Sequence, residues 1–208
     1  MNTLKKKPIY DFIKRAFDIV CSGLALLVLS PVFLVLILLI RRDGGPAFYT
    51  QVRVGKDGKL FRIYKFRSMC INADSPEMLE KLRKFNEMDG PAFKMKNDPR
   101  VTKIGRFIRK TSLDELPQFF NIFKGDMTFV GPRPALEREV AQYAPEHHER
   151  LLVKQGLTCY WQCSGRNNIG FEEWMQMDIK YVRERSLWTD LKILLKTVPA
   201  VLSGNGAQ

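Results

Sequence analysis

Asp114 and Glu115 form a pair of adjacent carboxylates within Lys110 to Pro134, KTSLDELPQFFNIFKGDMTFVGPRP, with Arg109 just ahead and a Gly-Pro-Arg-Pro turn carrying Arg133 behind. Pro117 bears on their placement, because a proline deep in a helix loses a backbone hydrogen bond and clashes with the carbonyl four residues back. It is tolerated in the first turn. With Asp114 as N-cap, Pro117 falls at N3, and Leu116, Phe119, Phe120 and Phe123 make one apolar face of a helix ending at Gly125. Acids at a helix N-terminus meet unpaired N–H groups and the positive end of the dipole, which favour ionised carboxylates and equally a bound phosphate. Ser112 with Glu115 also fits the Ser-x-x-Glu capping box, in which the acids only start a helix; spacing alone leaves both readings open. Arg109 arrives on a basic helix predicted over Val101 to Lys110. There it can hold an acid ionised, bind a phosphate, or make a surface salt bridge of little worth.

The elements that must position these groups belong to a chain of 208 residues, enough for one globular domain with appendages. Lys and Arg number 34 against 22 Asp and Glu, and the resulting charge of +12 suits an anionic partner: a phosphorylated substrate, acidic lipid or nucleic acid. Cys21, Cys70, Cys159 and Cys163 are scattered with no second ligand pair for zinc, which reads as reduced structural cysteines in the cytosol. A basic arm with Lys5, Lys6, Lys7, Lys14 and Arg15 leads into Ile19 to Ile40, 22 residues without a charge. That run is long enough to cross a bilayer and too long for a signal peptide. Both flanks are basic and Ser30-Pro31 interrupts the middle, which fits a re-entrant hairpin; Pro31 breaks the helix and the Ser30 hydroxyl can satisfy a freed carbonyl. A kinked spanning helix is the alternative.

Phe48 to Val54 and Leu60 to Phe66, joined by Gly55-Lys56-Asp57-Gly58, read as a β-hairpin. Alternation puts Lys65 and Arg67 on one side, as a phosphate or headgroup site needs, although a charge run is ordinarily a solvated face. Ser75-Pro76 starts a helix running to about Met88. Ala135 to Tyr143 and Pro145 to Val153 read as short polar helices with His147 and His148 on a solvated face, and Leu157 to Cys163 as a short strand. Phe171 to Val182 should be helical. Leu187 to Leu202 is amphipathic, with Leu187, Leu191, Leu194, Leu195, Val198 and Leu202 on a face that either completes the core or lies on a membrane. The expected class is α+β: mostly helical with a small hairpin sheet, a re-entrant membrane helix in 1–42, and a membrane-associated catalytic domain in 43–208 with amphipathic interfacial helices.

The order of basic arm, apolar segment with Ser30-Pro31, YKFRSM (Tyr64 to Met69), NDPRVTKIGRFIRKTSLDELPQ (Asn97 to Gln118) and FVGPRP (Phe129 to Pro134) resembles the monotopic bacterial phosphoglycosyl transferases, also called bacterial sugar transferases. The resemblance covers nearly the whole chain. It implies transfer of a sugar-1-phosphate from a UDP-sugar to undecaprenyl phosphate, with Mg2+, on the cytoplasmic face of the bacterial inner membrane. It further implies a ping-pong route in which Asp114 is the nucleophile, forming a covalent phosphosugar enzyme, while Glu115 takes part in Mg2+ coordination. Arg109 and Arg133 are implied to bind phosphate, and Ser30 and Pro31 to break the re-entrant helix. More weakly, it implies nucleotide-sugar recognition by Arg166 and Asn167. The chain resembles the short catalytic-core form, and monomer and homodimer both stay open. A non-enzymatic, membrane-tethered basic adaptor would not need Asp114, Glu115, Arg109 and Arg133 to converge, and a nucleic-acid binder would explain the charge alone.

Overall fold

The computed structural model describes residues 5–86, 95, 97–164 and 169–203, the side chains of 83, 202 and 203 excepted. The long apolar run is divided between two helices, α1 (Pro8–Val28) and α2 (Ser30–Ile40), bent by 60° at Leu29. The cause is local. Pro31 has no N–H to offer the Leu27 carbonyl, and the Ser30 hydroxyl donates to that oxygen instead, at 2.8 Å. Among the described residues, no single helix is long and apolar enough to cross a membrane; this bent pair passes that test only together.

The start of α1 is amphipathic, and its polar side docks on the rest of the chain. Strands β1 (Phe48–Val54) and β2 (Leu60–Phe66) pair antiparallel, Phe48 opposite Phe66 and Val54 opposite Leu60, with the bounds and turn that the sequence predicts. Helix α3 (Pro76–Arg83) is capped by Ser75 Oγ, which accepts from the Met78 N–H. It stops at Arg83, short of the predicted Met88, because Phe85 N–H turns back to the Leu82 carbonyl and tightens the chain out of the helix; 88 itself lies outside the described residues. Helix α4 (Lys103–Lys110) starts at Thr102, whose Oγ1 accepts from the Gly105 N–H.

The acid pair does not begin the next helix. Ser112 adopts φ 57°, ending α4, and Leu113–Glu115 closes a 3-10 turn; α5 (Gln118–Lys124) follows with Pro117 itself as N-cap, where its missing N–H costs nothing. Neither Asp114 as N-cap nor the Ser112–Glu115 capping box is formed, since the Ser112 side chain makes no cap bond. The face of α5 is also rotated from expectation. Gln118, Asn121 and Ile122 are buried, whereas Phe120 and Phe123 are exposed. Asn121 decides this: its amide donates to the Arg62 carbonyl and accepts from the Tyr64 N–H, completing the free edge of β2. Gly125 ends the helix at φ 95°, as predicted.

Strand β3 (Thr128–Val130) leads into the Pro-Arg-Pro turn, which is followed by α6 (Glu137–Val140) and a 3-10 segment, Pro145–Leu152. Strand β4 (Gly156–Thr158) pairs parallel with β3, and the predicted strand through Cys163 instead turns at Cys159 into α7 (Tyr160–Cys163). Helices α8 (Phe171–Glu184) and α9 (Leu187–Ser203) complete the core with Tyr181, Val182 and Ile193 against Val130 and Val153. His147 is not on a solvated face: it is buried between Tyr143 and Phe171 because its 3-10 segment packs on α8, while His148 is exposed. Of the predicted apolar face of α9, Leu194 packs against this core, whereas Leu187, Leu191, Leu195 and Val198 point outward, with Trp188 beside them.

A polar cluster joins the two ends of the chain. Lys14 donates to Asp190 and to the Val130 carbonyl, Tyr10 donates to Asp190, and the Tyr181 hydroxyl lies 2.8 Å from the other Asp190 oxygen. Arg15 donates to the Ile122 and Phe123 carbonyls at the C-terminus of α5, and Asp18 accepts from Thr128 and the Phe129 N–H. The boundary expected at 42/43 falls inside a 3-10 turn, Arg41–Asp43, that continues from α2.

Gly105 lets α4 press against the strand that leaves β2. A Cβ there would lie 1.8 Å from the Ser68 carbonyl oxygen, a backbone atom that cannot swing away. Gly105→Ala is therefore expected to displace α4 and lower Tm by about 10 °C in thermal denaturation. An unchanged Tm would contradict the close approach.

Candidate active site

Three separate segments bring cations to Asp114. Lys65 comes from β2, Arg109 from the last turn of α4, and Arg133 from the turn after β3. All line one cleft of about 1060 Å³ together with Asp114. Asp114 is only 9% exposed, and its carboxylate accepts no hydrogen bond among the described residues. Glu115 faces an adjoining recess, where Lys65 Nζ donates to it at 2.7 Å and Arg133 Nη1 lies 3.8 Å away. Adjacent acids thus have different partners: Glu115 anchors two cations, and Asp114 faces the cleft with its oxygens unengaged.

Burial pushes the Asp114 carboxyl up to about 6, from 3.8. Lys65 opposes this most, Glu115 adds to it, and Arg109 and Arg133 oppose it. Arg109 is held by the Ser68 hydroxyl, to which its Nε donates at 3.0 Å. Burial pulls its guanidinium below the ordinary value, with Asp114 and Asp98 offsetting this.

Arg67 is placed differently from Lys65. Its five donors go to the Pro46, Met69 and Ile40 carbonyls and to both oxygens of Asp43, so it ties β2 to the end of α2 and offers no donor to a phosphate. Alternation put Arg67 on the side of Lys65, but Asp43 claims it. Arg166 and Asn167 lie outside the described residues. Ser30 and Pro31 are at the bend of the apolar pair and touch the site only through α2, against which Ile108 of α4 packs with Leu36 and Ile40.

Three site residues escaped the sequence reading. Ser68, inside YKFRSM, orients Arg109. Arg53 of β1 donates to the Pro134 carbonyl and to Gln51; burial, then the like charge of Arg133, pulls it down to about 10. Gln118 lines the recess beside Glu115 with a buried amide nitrogen that has no partner among the described residues. Arg53 and Pro134 lie 81 residues apart, and nothing local signals the contact.

Among the described residues, no three His, Cys, Asp or Glu converge on a point that could hold a metal ion. The site supplies two neighbouring carboxylates and a basic cleft open to a phosphorylated molecule. A cleft with one buried, unengaged carboxylate facing three cations can bind a phosphate and bring a nucleophilic oxygen to it.

A sequence model of the family described as bacterial sugar transferase matches residues 9–204. The chain belongs to that family. The chain is 48% identical over 196 residues to the galactosyl transferase CpsE of Streptococcus agalactiae, covering 94% of this chain and 43% of the relative. It is 49% identical over 203 residues to the undecaprenyl-phosphate galactose phosphotransferase of Salmonella typhimurium, covering 94% and 42%. With the exopolysaccharide production protein ExoY of Rhizobium meliloti it shares 42% identity over 206 residues, covering 97% and 90%. The chain therefore spans a little under half of the first two relatives and most of the third.

The raised Asp114 value makes a stability prediction with a definite sign. The folded state prefers the protonated acid, so this contribution to stability is full below the unfolded value near 3.8 and is lost as pH rises through about 6. Asp114→Asn should raise thermal stability at pH 7.5 by on the order of 2 kcal/mol, and by almost nothing at pH 4. A variant no more stable at pH 7.5 than at pH 4, relative to the parent, would show that the buried charge carries no cost.

Proposed function

We propose that the chain transfers a sugar-1-phosphate from a UDP-sugar to undecaprenyl phosphate, giving undecaprenyl-diphosphate-sugar and UMP, as an early membrane step of glycan synthesis. The observation that carries this reading is the buried, unengaged Asp114 carboxylate facing Lys65, Arg109 and Arg133. Similarity to the undecaprenyl-phosphate galactose phosphotransferase of Salmonella typhimurium supports the same chemistry.

In the first step an Asp114 oxygen attacks the β-phosphorus of the donor. The new O–P bond forms as the bond to the bridging oxygen breaks, and UMP leaves with that electron pair. In the second step a phosphate oxygen of the polyprenyl carrier attacks the same phosphorus and releases the Asp114 carboxylate. Lys65, Arg109 and Arg133 offset the phosphoryl charge, and Arg133 and Lys65 are themselves held by Glu115. Mg2+ suits this donor set, because it is commonly held by one or two carboxylates with substrate phosphates completing its shell. Glu115 would hold it, and its charge would favour departure of UMP. Storing the phosphosugar on Asp114 lets a soluble donor and a lipid acceptor use one cleft in turn.

The bent pair α1 and α2 fits a re-entrant helix that enters one leaflet of the bacterial cytoplasmic membrane and returns. The hydrogen bond from Ser30 to Leu27 removes an unsatisfied carbonyl from hydrocarbon. Exposed Phe107 on α4, Phe120 and Phe123 on α5, and the outward leucines of α9 supply apolar surface for the same interface. Arg67, which lines the cleft, binds the carbonyl of Ile40 at the end of α2, so the site lies where that helix would leave the membrane. On this reading the catalytic face is the cytoplasmic one, where a UDP-sugar donor is made.

The test is incubation of the full chain with a panel of labelled UDP-sugars, undecaprenyl phosphate and Mg2+. UMP is expected with at least one donor, and none with any donor would favour a basic adaptor. Asp114→Asn should abolish both turnover and the trapped phosphosugar adduct. Because Asp114 must be ionised, activity should rise from pH 5 to 7 around an apparent value of about 6. For topology, cysteine labelling of the N-terminal arm is expected from the cytoplasmic side; periplasmic labelling would mean a spanning helix.

A further inference from the structure

Arg150, in the 3-10 segment Pro145–Leu152, is 0% exposed and belongs to no group the chemistry above uses. Its Nε and Nη2 both donate to Asp178 of α8, itself fully buried, and Nη1 donates to the Tyr143 hydroxyl at 2.6 Å. The remaining contact leaves this cluster: Nη2 donates to the main-chain carbonyl of Arg133 at 2.8 Å. The guanidinium lies over the Tyr143 and Trp174 rings, 5.6 and 5.3 Å from their centroids. Trp174 stacks on Trp161 at 5.0 Å, and the Arg133 guanidinium sits 5.7 Å from the Trp161 ring.

Arg133 is thus gripped twice from one buried point. Its carbonyl is held directly by Arg150, and its side chain rests on an aromatic stack whose inner member Arg150 covers. We infer that Arg150 is a positioning residue of the active site: it fixes the Pro132-Arg133-Pro134 turn so that the Arg133 guanidinium faces the acid pair.

Stability alone gives a weak reason for this arrangement. A fully desolvated ion pair is commonly no better than a well-packed apolar pair of the same volume, because both charges must leave water. An apolar pair could fill the space of Arg150 and Asp178 but could not donate to a carbonyl. The turn depends on outside donors, because Pro132 and Pro134 have no N–H with which to close local hydrogen bonds: the Gly156 N–H holds the Pro132 carbonyl and Arg53 the Pro134 carbonyl, and Arg150 holds the carbonyl of Arg133 itself. Arg133 Nη1 lies 3.8 Å from Glu115, so a small rotation of the turn moves the cation off the site.

The inference rests on the proposed role of Arg133, and the experiment separates the two. The double variant Arg150→Met with Asp178→Leu removes both charges and strands neither. It is expected to keep a cooperative melting transition while lowering kcat/KM about 10–100-fold, the scale of a misplaced binding group. The deciding readout is a cycle with Arg133→Ala. If Arg150 acts through Arg133, the triple variant loses no more than about twofold beyond Arg133→Ala alone; a merely structural role makes the losses multiply. Hydrogen exchange supplies a readout independent of activity: the Gly156 amide, which donates to the Pro132 carbonyl of the same turn, should exchange at least about tenfold faster in the double variant. Should that variant fail to fold, Tyr143→Phe, which removes only the hydroxyl on Nη1, is expected to give a smaller loss that is likewise absorbed by Arg133→Ala. Unchanged exchange at Gly156, unchanged kcat/KM in the folded variant, or losses that multiply would overturn the inference. If the parent chain turns over no donor at all, it is the functional reading that falls, and exchange at Gly156 alone decides the structural one.

Discussion

The carboxylate of Asp114 has left water without gaining a hydrogen-bond donor among the described residues, and desolvation by itself would raise its pKa. Lys65, Arg109 and Arg133 pull the other way, and the balance leaves a group that ionises near 6. No one segment supplies that balance. Lys65 requires the hairpin, Arg109 requires α4 to approach Ser68 closely enough that residue 105 has no side chain, and Arg133 requires β3 and β4 to pair. Much of the fold beyond α2 can be read as the means of holding three like charges around one buried acid. Left alone, those cations would repel one another. Glu115 reduces that cost by anchoring two of them while leaving Asp114 unengaged.

What the sequence disclosed followed the range of the interactions involved. The hairpin bounds and the Ser30 hydroxyl on the Leu27 carbonyl depend on neighbours in the chain, and both were legible. The convergence of Asp114, Arg109 and Arg133 was legible through ordered motifs. Arg67 was misread because alternation gives the side of a strand but not the partner, and Asp43 sits 24 residues away on the turn after α2. The face of α5 was misread for a related reason. Periodicity favoured its phenylalanines, yet Asn121 had a strand edge to complete, which turned Phe120 and Phe123 outward. In water that rotation would be unfavourable; against a lipid surface it places aromatic rings where they are stable.

The two sides of the molecule follow different packing rules. Around Arg150, Tyr143, Trp161 and Trp174, aromatic rings enclose a charge and fix the turn that carries Arg133. Around α1, α2 and α9, apolar residues face outward while the polar ones bind the domain. Inversion of the usual pattern in α1 explains why its hydropathy resembled a membrane segment although its buried face contains Asp18 and Ser22.

The cluster of Tyr10, Lys14, Tyr181 and Asp190 joins the first helix to the last. During synthesis, α1 and α2 leave the ribosome long before the other half of that cluster exists. Until residue 190 is made, Lys14 lacks its carboxylate, and the apolar side of α1 has only lipid or a chaperone to meet. The order of assembly is thereby written into the connectivity: the hydrophobic pair must find its surroundings first, and the domain closes onto it last.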